Sequence, residues 1–335
     1  TNGDGAAAIL KASSVKGDIL PWRDTMHDGP FPQGLSLEKA SALRAEYLSR
    51  QGLDEEEVRR GFELRDAHLK GAGKYEEVIL WYEHDLLDQL QILQLLHWFN
   101  SVDRGKTKLS MVCINQFQGI IPFRGLGQLS PDQLATLHPE RKTVSNEQLN
   151  LAAKGWAAFR NPNPQILAAF INSDLSALPF LKKALERHLE EYPSLQNGLN
   201  KTQNKILKFV KEGTRDPVEN FKACLESETV FFQGDWSHFN GISRLCNGPK
   251  PLIKCNEGQK FNHPLDLPES LDEFRSQKLS LTERGEMVLE NKTDAVELLE
   301  IDQWFGGVHL QYDSPIWRWD SEANKLVQTA PGHRS

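Results

Sequence analysis

Glu83, His84 and Asp85 stand directly after the apolar run Val78-Ile79-Leu80-Trp81-Tyr82, with Asp88 and Gln89 one helical turn further on. Carboxylates and an imidazole at this spacing can hold a divalent cation or act as general acid and base. Arg23, Asp24, His27 and Asp28 form a second ionisable group, closed by Gly29-Pro30, and Asn2-Gly3-Asp4-Gly5 forms a third. Carboxylates gathered in one cleft repel one another and hold their protons more tightly unless a cation or an arginine relieves them. A divalent metal (Mg, Mn or Zn) would relieve them and would also activate water or clamp a phosphate.

These residues need elements to carry them. A short apolar run that meets polar residues and continues as a helix-length segment to Phe99 predicts a buried strand, a tight turn and a helix. Residues 107–114 predict another strand, so the three make a βαβ unit and a parallel pair. Ligands of open α/β sheets bind at the carboxyl ends of such strands, where Glu83, His84 and Asp85 fall. Residues 17–22 predict a further short strand feeding the Asp24–Asp28 loop. The Gly-rich turn at 1–5 opens a helix whose N–H groups suit an anion. It lacks a Walker lysine and a full GxGxxG, the strand expected ahead of it would precede Thr1, and Asp4 serves equally as a helix cap. Residues 37–49 predict an amphipathic helix begun by Ser36, with Leu37, Ala40, Leu43 and Tyr47 on one face; 53–69 predict a second, highly charged one. Arg124, between glycines in Phe123-Arg124-Gly125-Leu126-Gly127, is a candidate anion clamp or a loop arginine paired with Asp132.

The expected fold is therefore α/β: a Rossmann-like parallel-sheet domain over 1–129, a helical segment over 130–196, and a winged-helix-like domain over 197–335 ending in a β-hairpin. In the last part, helices at 202–211, 216–225 and 236–246 precede strands at 251–255 and 278–281 and a helix after Thr282, the order of a winged helix. Its third helix offers only His238 and Arg244 to a nucleic acid, and this part carries more acid than base, which suits packing or protein contact better than DNA.

The chain has 335 residues and a formal charge of −7, so two or three domains are expected and a chain built wholly around a nucleic-acid backbone is not. No apolar run approaches the roughly 20 residues of a membrane span, and the N-terminal residues do not read as a signal peptide. Cys113, Cys224, Cys246 and Cys255 have no CxxC spacing, and buried free thiols in a cytoplasmic protein are expected.

Taken together, Thr1-Asn2-Gly3-Asp4, Leu20-Pro21-Trp22-Arg23-Asp24, His27-Asp28-Gly29-Pro30, Trp81-Tyr82-Glu83-His84-Asp85, Asp88-Gln89 and Phe123-Arg124-Gly125-Leu126-Gly127 resemble a bacterial family known as domain of unknown function eighteen-thirty-five. The likeness extends, less distinctly, to Trp304-Phe305-Gly306-Gly307-Val308-His309-Leu310. Gly5 stands where that family usually has serine. The resemblance implies the domain layout and no activity.

Three functions compete. In a metal-assisted hydrolase or transferase acting on a phosphoester or nucleotide, Asp24, Asp28, Asp85 and Asp88 are metal ligands and His27, Glu83 and His84 are catalytic. Asn2, Asp4, Arg23, Arg124 and Gln89 then bind the substrate. In a ligand-sensing regulator, the same cleft takes a small anion and the winged helix takes DNA or a partner protein. In a purely structural reading, Asp85 caps the helix with Asp88 three positions on, Glu83 pairs with an arginine, and His84 is a core residue.

Overall fold

A computed structural model describes residues 1–229, 233–256, 258–264 and 271–331; residues 332–335 of the expected C-terminal unit lie outside these. The chain begins with α1 (Gly3–Ala12), the two-residue β1 (Gly29–Pro30), α2 (Leu37–Arg50) and α3 (Glu55–Lys70). It continues through β2 (Glu77–Glu83), α4 (Leu86–Ser101), β3 (Lys108–Ile114), α5 (Pro131–Thr136) and β4 (Lys142–Thr143). Helices α6 (Asn146–Phe159), α7 (Pro164–Ile171) and α8 (Leu181–Leu189) form the middle. The third part holds α9 (Lys201–Lys211), α10 (Pro217–Glu226), α11 (Asp235–Asn247), β5 (Ile253–Cys255), α12 (Leu271–Ser276), β6 (Leu279–Leu281), α13 (Glu283–Leu289) and α14 (Ala295–Leu299). Strands β7 (Asp302–Gly306), β8 (Val308–Gln311), β9 (Ile316–Asp320) and β10 (Lys325–Thr329) follow. The protein is thus mixed α/β with small sheets, and among the described residues no helix is long and apolar enough to cross a membrane.

Helix α4 is the axis of the molecule. Its sequence, LLDQLQILQLLHWFNS, has no continuous polar face, and a helix apolar all round belongs inside. It packs on β2 from one side and on α6 and α8 from the other. The connection β2–α4–β3 makes a parallel pair in register from Glu77↔Lys108 to Glu83↔Ile114, as the sequence predicts. The sheet then stops short of the expected extended parallel one. The antiparallel β4 closes it on the β3 side, giving the order β2-β3-β4. The predicted strand at 17–22 shrinks to a single parallel bridge, Asn2↔Trp22. That segment borders the outer edge of β2 without pairing to it, and Pro21 has no N–H to give.

The core also crosses the expected boundary at 129/130. One cluster joins Trp22, Tyr82 and Leu90 to Trp156, Leu185 and Tyr192, and takes in Phe305, Ile316 and Leu326 from the C-terminal strands. A second cluster, from Leu199 to Ala295, belongs to the α9–α14 part alone. Strand β7 returns across the molecule to pair in parallel with β1, Gly29↔Phe305, and Phe31 N–H donates to Gly306 O at 2.6 Å.

This return clamps the Asp24–Asp28 loop onto α2. Arg44 lies under it, donating to Asp24 Oδ1 from Nε at 3.0 Å and from Nη2 at 2.6 Å, to Asp28 O at 2.7 Å and to Thr25 O at 3.1 Å. A Cβ at Gly29 would overlap the Arg44 guanidinium and the Tyr47 ring, so only glycine allows the approach. The buried stripe of α2 is accordingly Ser41, Arg44, Ala45 and Leu48, rotated from the predicted apolar face because its neighbour is a carboxylate. Both Arg44 and Asp24 side chains are 1% exposed, and removing one partner of such a pair strands the other charge. Arg44→Met should therefore lower stability by about 3–5 kcal/mol, measured by denaturant unfolding. Asp24→Asn in that background should recover part of the loss, as a double-mutant cycle would show; a single-mutant loss within experimental error would contradict this role.

Candidate functional site

Strand β2 is buried through residues 80–82 and ends at Glu83; α4 begins three residues later. Asp85 has extended backbone and its carboxylate accepts Asp88 N–H at 2.8 Å, an N-cap of the expected kind. Asp88 turns back and accepts Glu83 N–H at 2.5 Å, while Gln89 Nε2 donates to Glu83 O at 2.7 Å. The Glu83 peptide is thus held from both sides by the first turn of α4. Its side chain is held by the 123–127 loop, since Leu126 N–H donates to Glu83 Oε2 and a Cβ at Gly125 would overlap the Glu83 carboxylate.

The result is a cluster of three carboxylates. One oxygen each from Glu83, Asp85 and Asp88 lies within 4.8 Å of the others. Asp88 is 0% exposed and Asp85 1%, whereas Glu83 is partly open. Among the described residues none of the three forms an ion pair with a lysine, arginine or histidine, and Asp88 Oδ1 is buried without a hydrogen-bond partner. Burial, then the neighbouring Asp85, pushes the Glu83 carboxyl up to about 8, against the pull of the Leu126 amide. Burial raises Asp85 to about 7, partly offset by the amides it caps. Asp88 is raised well above its ordinary value, by burial and then by Asp85 and Glu83. The N-terminal end of α4 favours negative charge there but is too weak to cancel three desolvated carboxylates.

The other predicted residues divide around this cluster. His84, on the same turn, leaves it: its ring lies 6.3 Å from Phe123 and 6.4 Å from Phe180, half-buried, and burial lowers its pKa. Gln89 donates from Nε2 to Glu83 O and Cys113 Sγ, so its amide nitrogen holds the turn. Asn2 accepts from Gln91 Nε2 at 3.2 Å, and that same amide reaches Trp22 O and Asp24 O. Asp4 and Arg23 pair with each other at 2.6 Å on the surface, the arginine holding the Asp4 carboxyl below its ordinary value. Arg124 N–H donates to Gln128 Oε1 at 2.5 Å, next in sequence to the Gly125–Leu126 contact with Glu83.

Two of the four expected metal ligands do not belong to the cluster. Asp24 is neutralised by Arg44, with Arg65 Nη1 at 4.0 Å. Asp28 accepts from Tyr47 OH at 2.7 Å and pairs with Arg244 at 3.3 Å; despite burial, Arg244 and then His27 hold its carboxyl below the ordinary range. His27 is buried in that same loop, where burial takes its pKa down to about 4 against the attraction of Asp28. Glu83, expected as a base, takes the place they leave. Arg44 is the residue that sequence reasoning passed over; Tyr47 is expected only on an apolar helix face and Gly125 only as a loop glycine beside Arg124. An arginine inside a helical stripe with a serine and an alanine was the one signal for Arg44.

The α11 residues offered to DNA are also spoken for. His238 is buried and contacts Asn220 Oδ1 at 3.1 Å, while Arg244 ties α11 to Asp28 and Tyr47 of the N-terminal part. No protein-family model, curated protein or solved structure matches this chain.

A carboxyl with a raised folded pKa binds its proton more tightly in the folded than in the unfolded state. The stability it contributes is full below the unfolded value, about 4, and is lost as pH rises towards 7 and 8. The melting temperature in metal-free buffer should therefore fall between pH 5 and 8.5. Asp85→Asn keeps a good capping residue and removes a charge, so it should flatten this fall and melt higher than the wild type at the upper end. A wild-type melting temperature that is flat or rising across this range would contradict the electrostatics described.

Proposed function

We propose that the β2–α4 turn is a cation site and that the protein is a metal-assisted hydrolase or transferase acting on a phosphoester or nucleotide. The observation that carries this reading is the cluster itself: three buried carboxylates at the carboxyl end of a parallel strand, with no lysine or arginine of the described residues paired to them. An all-oxygen donor set, with His84 turned away and Cys113 kept protonated by burial, suits a hard ion such as Mg or Mn better than Zn. A cation bound there would act as a Lewis acid and lower the pKa of a water.

The chain's own groups have distinct parts in this proposal. Asp85 and Asp88 are the fixed ligands, buried and oriented by the helix. Glu83, partly open and high in pKa, is the ligand that can also take a proton at neutral pH. Beyond the turn lies a cavity of about 350 Å³ lined by Gln89, Cys113, Ile114 and Phe180, with Glu140 and Lys142 among its walls. It would seat the apolar or planar part of a substrate. We also propose membership of the family of unknown function named above, on its turn and loop motifs. In the same spirit α9–α11 with β5, β6 and α13 are read as a winged-helix-like packing module. The Arg244–Asp28 contact supports a packing role over DNA reading.

Millimolar Mg or Mn should raise the melting temperature of the wild type at pH 8, by the equivalent of about 2.7 kcal/mol at a hundredfold excess over Kd. Asp85→Asn and Asp88→Asn should lose the response. A screen of p-nitrophenyl phosphate and nucleoside phosphates should show metal-dependent turnover that Glu83→Gln reduces at least tenfold. No metal shift in the wild type, together with no turnover, would sink the proposal.

A further inference from the structure

The contact between the N-terminal loop, strand β7 and the α9–α14 part is not closed throughout. A cavity of about 430 Å³ lies among α9, α11, α14 and the start of β7, and a second of about 40 Å³ lies beside His27 and Asp28. Glu191, Asn200, Gln203, Arg244 and Gln303 line both, so the two are lobes of one cleft. Clefts at the junction of two packed parts are favoured places for small ligands.

The shared side chains carry hydrogen-bonding atoms that the fold does not use. Glu191 is 6% exposed, and its Oε1 alone accepts from Arg187 Nη1 at 2.6 Å, Thr202 Oγ1 at 2.7 Å and Thr202 N–H at 3.2 Å. Among the described residues none donates to its Oε2. Asn200 Oδ1 accepts Gln203 N–H at 2.7 Å and Gln203 Oε1 accepts Asn200 N–H at 3.0 Å, a capping box that leaves both amide NH2 groups as donors. Arg244 gives Nη2 to Asp28 and Tyr47, and its side chain is still 36% exposed. Gln303 has no side-chain hydrogen bond among the described residues.

This donor and acceptor set suits a ligand with charges of both signs. A phosphate would meet Glu191 and Asp28, and a bare cation would meet Arg244. A zwitterion satisfies both ends. Burial lifts the Glu191 carboxyl above its ordinary value even against Arg187, so an ammonium group on Oε2 would be stabilising. A guanidinium with two amide NH2 groups suits a carboxylate. Pro193, Val296, Leu299 and Ile301 give the larger lobe an apolar wall, while the smaller lobe has room for little more than an ammonium or a water.

We propose that this cleft binds a free α-amino acid with an apolar side chain. Its ammonium would sit on Glu191 Oε2 in the smaller lobe, its carboxylate would take Arg244, Asn200 and Gln203, and its side chain would lie on the apolar wall of the larger lobe. Such a ligand would touch α9, α11 and β7 together and so tighten the junction between the two parts. The inference goes beyond the metal reading and stands without it.

The test is isothermal titration, with the melting temperature alongside, of the full chain in metal-free buffer. The probes are L-leucine, L-isoleucine, L-valine, L-methionine and L-phenylalanine, each also as its amide and its N-acetyl form. At least one of the amino acids should bind and raise the melting temperature at millimolar concentration. Its amide and its N-acetyl form, each lacking one charge, should bind at least about tenfold more weakly. Gln303→Ala, which breaks no hydrogen bond among the described residues, should melt like the wild type without ligand and weaken binding severalfold. Ser243→Trp, which fills the larger lobe, should abolish it; if that variant does not fold, Gln303→Ala decides. No binding of any of the five amino acids would overturn the proposal. So would amide and N-acetyl forms that bind as well as their parent, or wild-type affinity in Gln303→Ala.

Discussion

Helix α4 is buried over most of its surface from Leu86 to Leu96, so its polar side chains there bond inside the protein, with Asp88 Oδ1 and Gln91 Oε1 left without a hydrogen bond. Asp85 and Asp88 meet this constraint at the end of β2, Gln89 at the Glu83 carbonyl and Cys113, Gln91 at Asn2, Trp22 and Asp24, and Gln94 at the Trp22 indole N–H. The polar residues of one helix thereby fix the strand end before it, the N-terminal turn and the start of the Asp24–Asp28 loop. A buried polar network of this kind specifies one arrangement, since any register shift would leave several groups unpaired at once.

Arginines do the corresponding work at the periphery of the core. Arg44 and Arg65 sit beneath the 22–28 segment, each also stacked on aromatic rings, Phe31 and Tyr47 for the first and Trp22 and Phe62 for the second. Arg187 joins α8 to Glu191 and Glu228, and Arg244 joins α11 to Asp28. Planar guanidinium groups suit these places because they satisfy several acceptors at once and are more weakly hydrated than an ammonium. The C-terminal part is therefore bound to the N-terminal loop by specific charge pairs as well as by strand β7.

Against this background the Glu83–Asp85–Asp88 turn differs from the other buried acids. Asp24, Asp28 and Glu191 each have an arginine; among the described residues the trio has backbone amides, one another and, for Asp88, the attraction of the buried Thr1 amino group. Such a turn costs stability when all three groups are ionised, and a fold retains that cost more readily where a proton or a cation has a use.

Much of the scaffold follows from local sequence. Ser36, Ser130 and Asn163 cap the helices they precede, and β2, α4 and β3 follow from an apolar run, a capping aspartate and a second apolar run. These are short-range effects of periodicity and hydrogen bonding, and the sequence by itself determines them. It also determines that Asp85 caps α4 and that Glu83 ends a buried strand. What it does not determine is which acids keep their charge uncompensated. Asp24 and Asp85 look alike in sequence, each following an aromatic residue by two to four positions in a polar turn. Arg44, twenty residues downstream of Asp24, makes one of them a structural ion pair, and among the described residues no arginine pairs with the other. Only the tertiary structure decides this, because a carboxylate's role depends on which charges the fold brings within a few ångströms of it, and distance along the chain does not encode that.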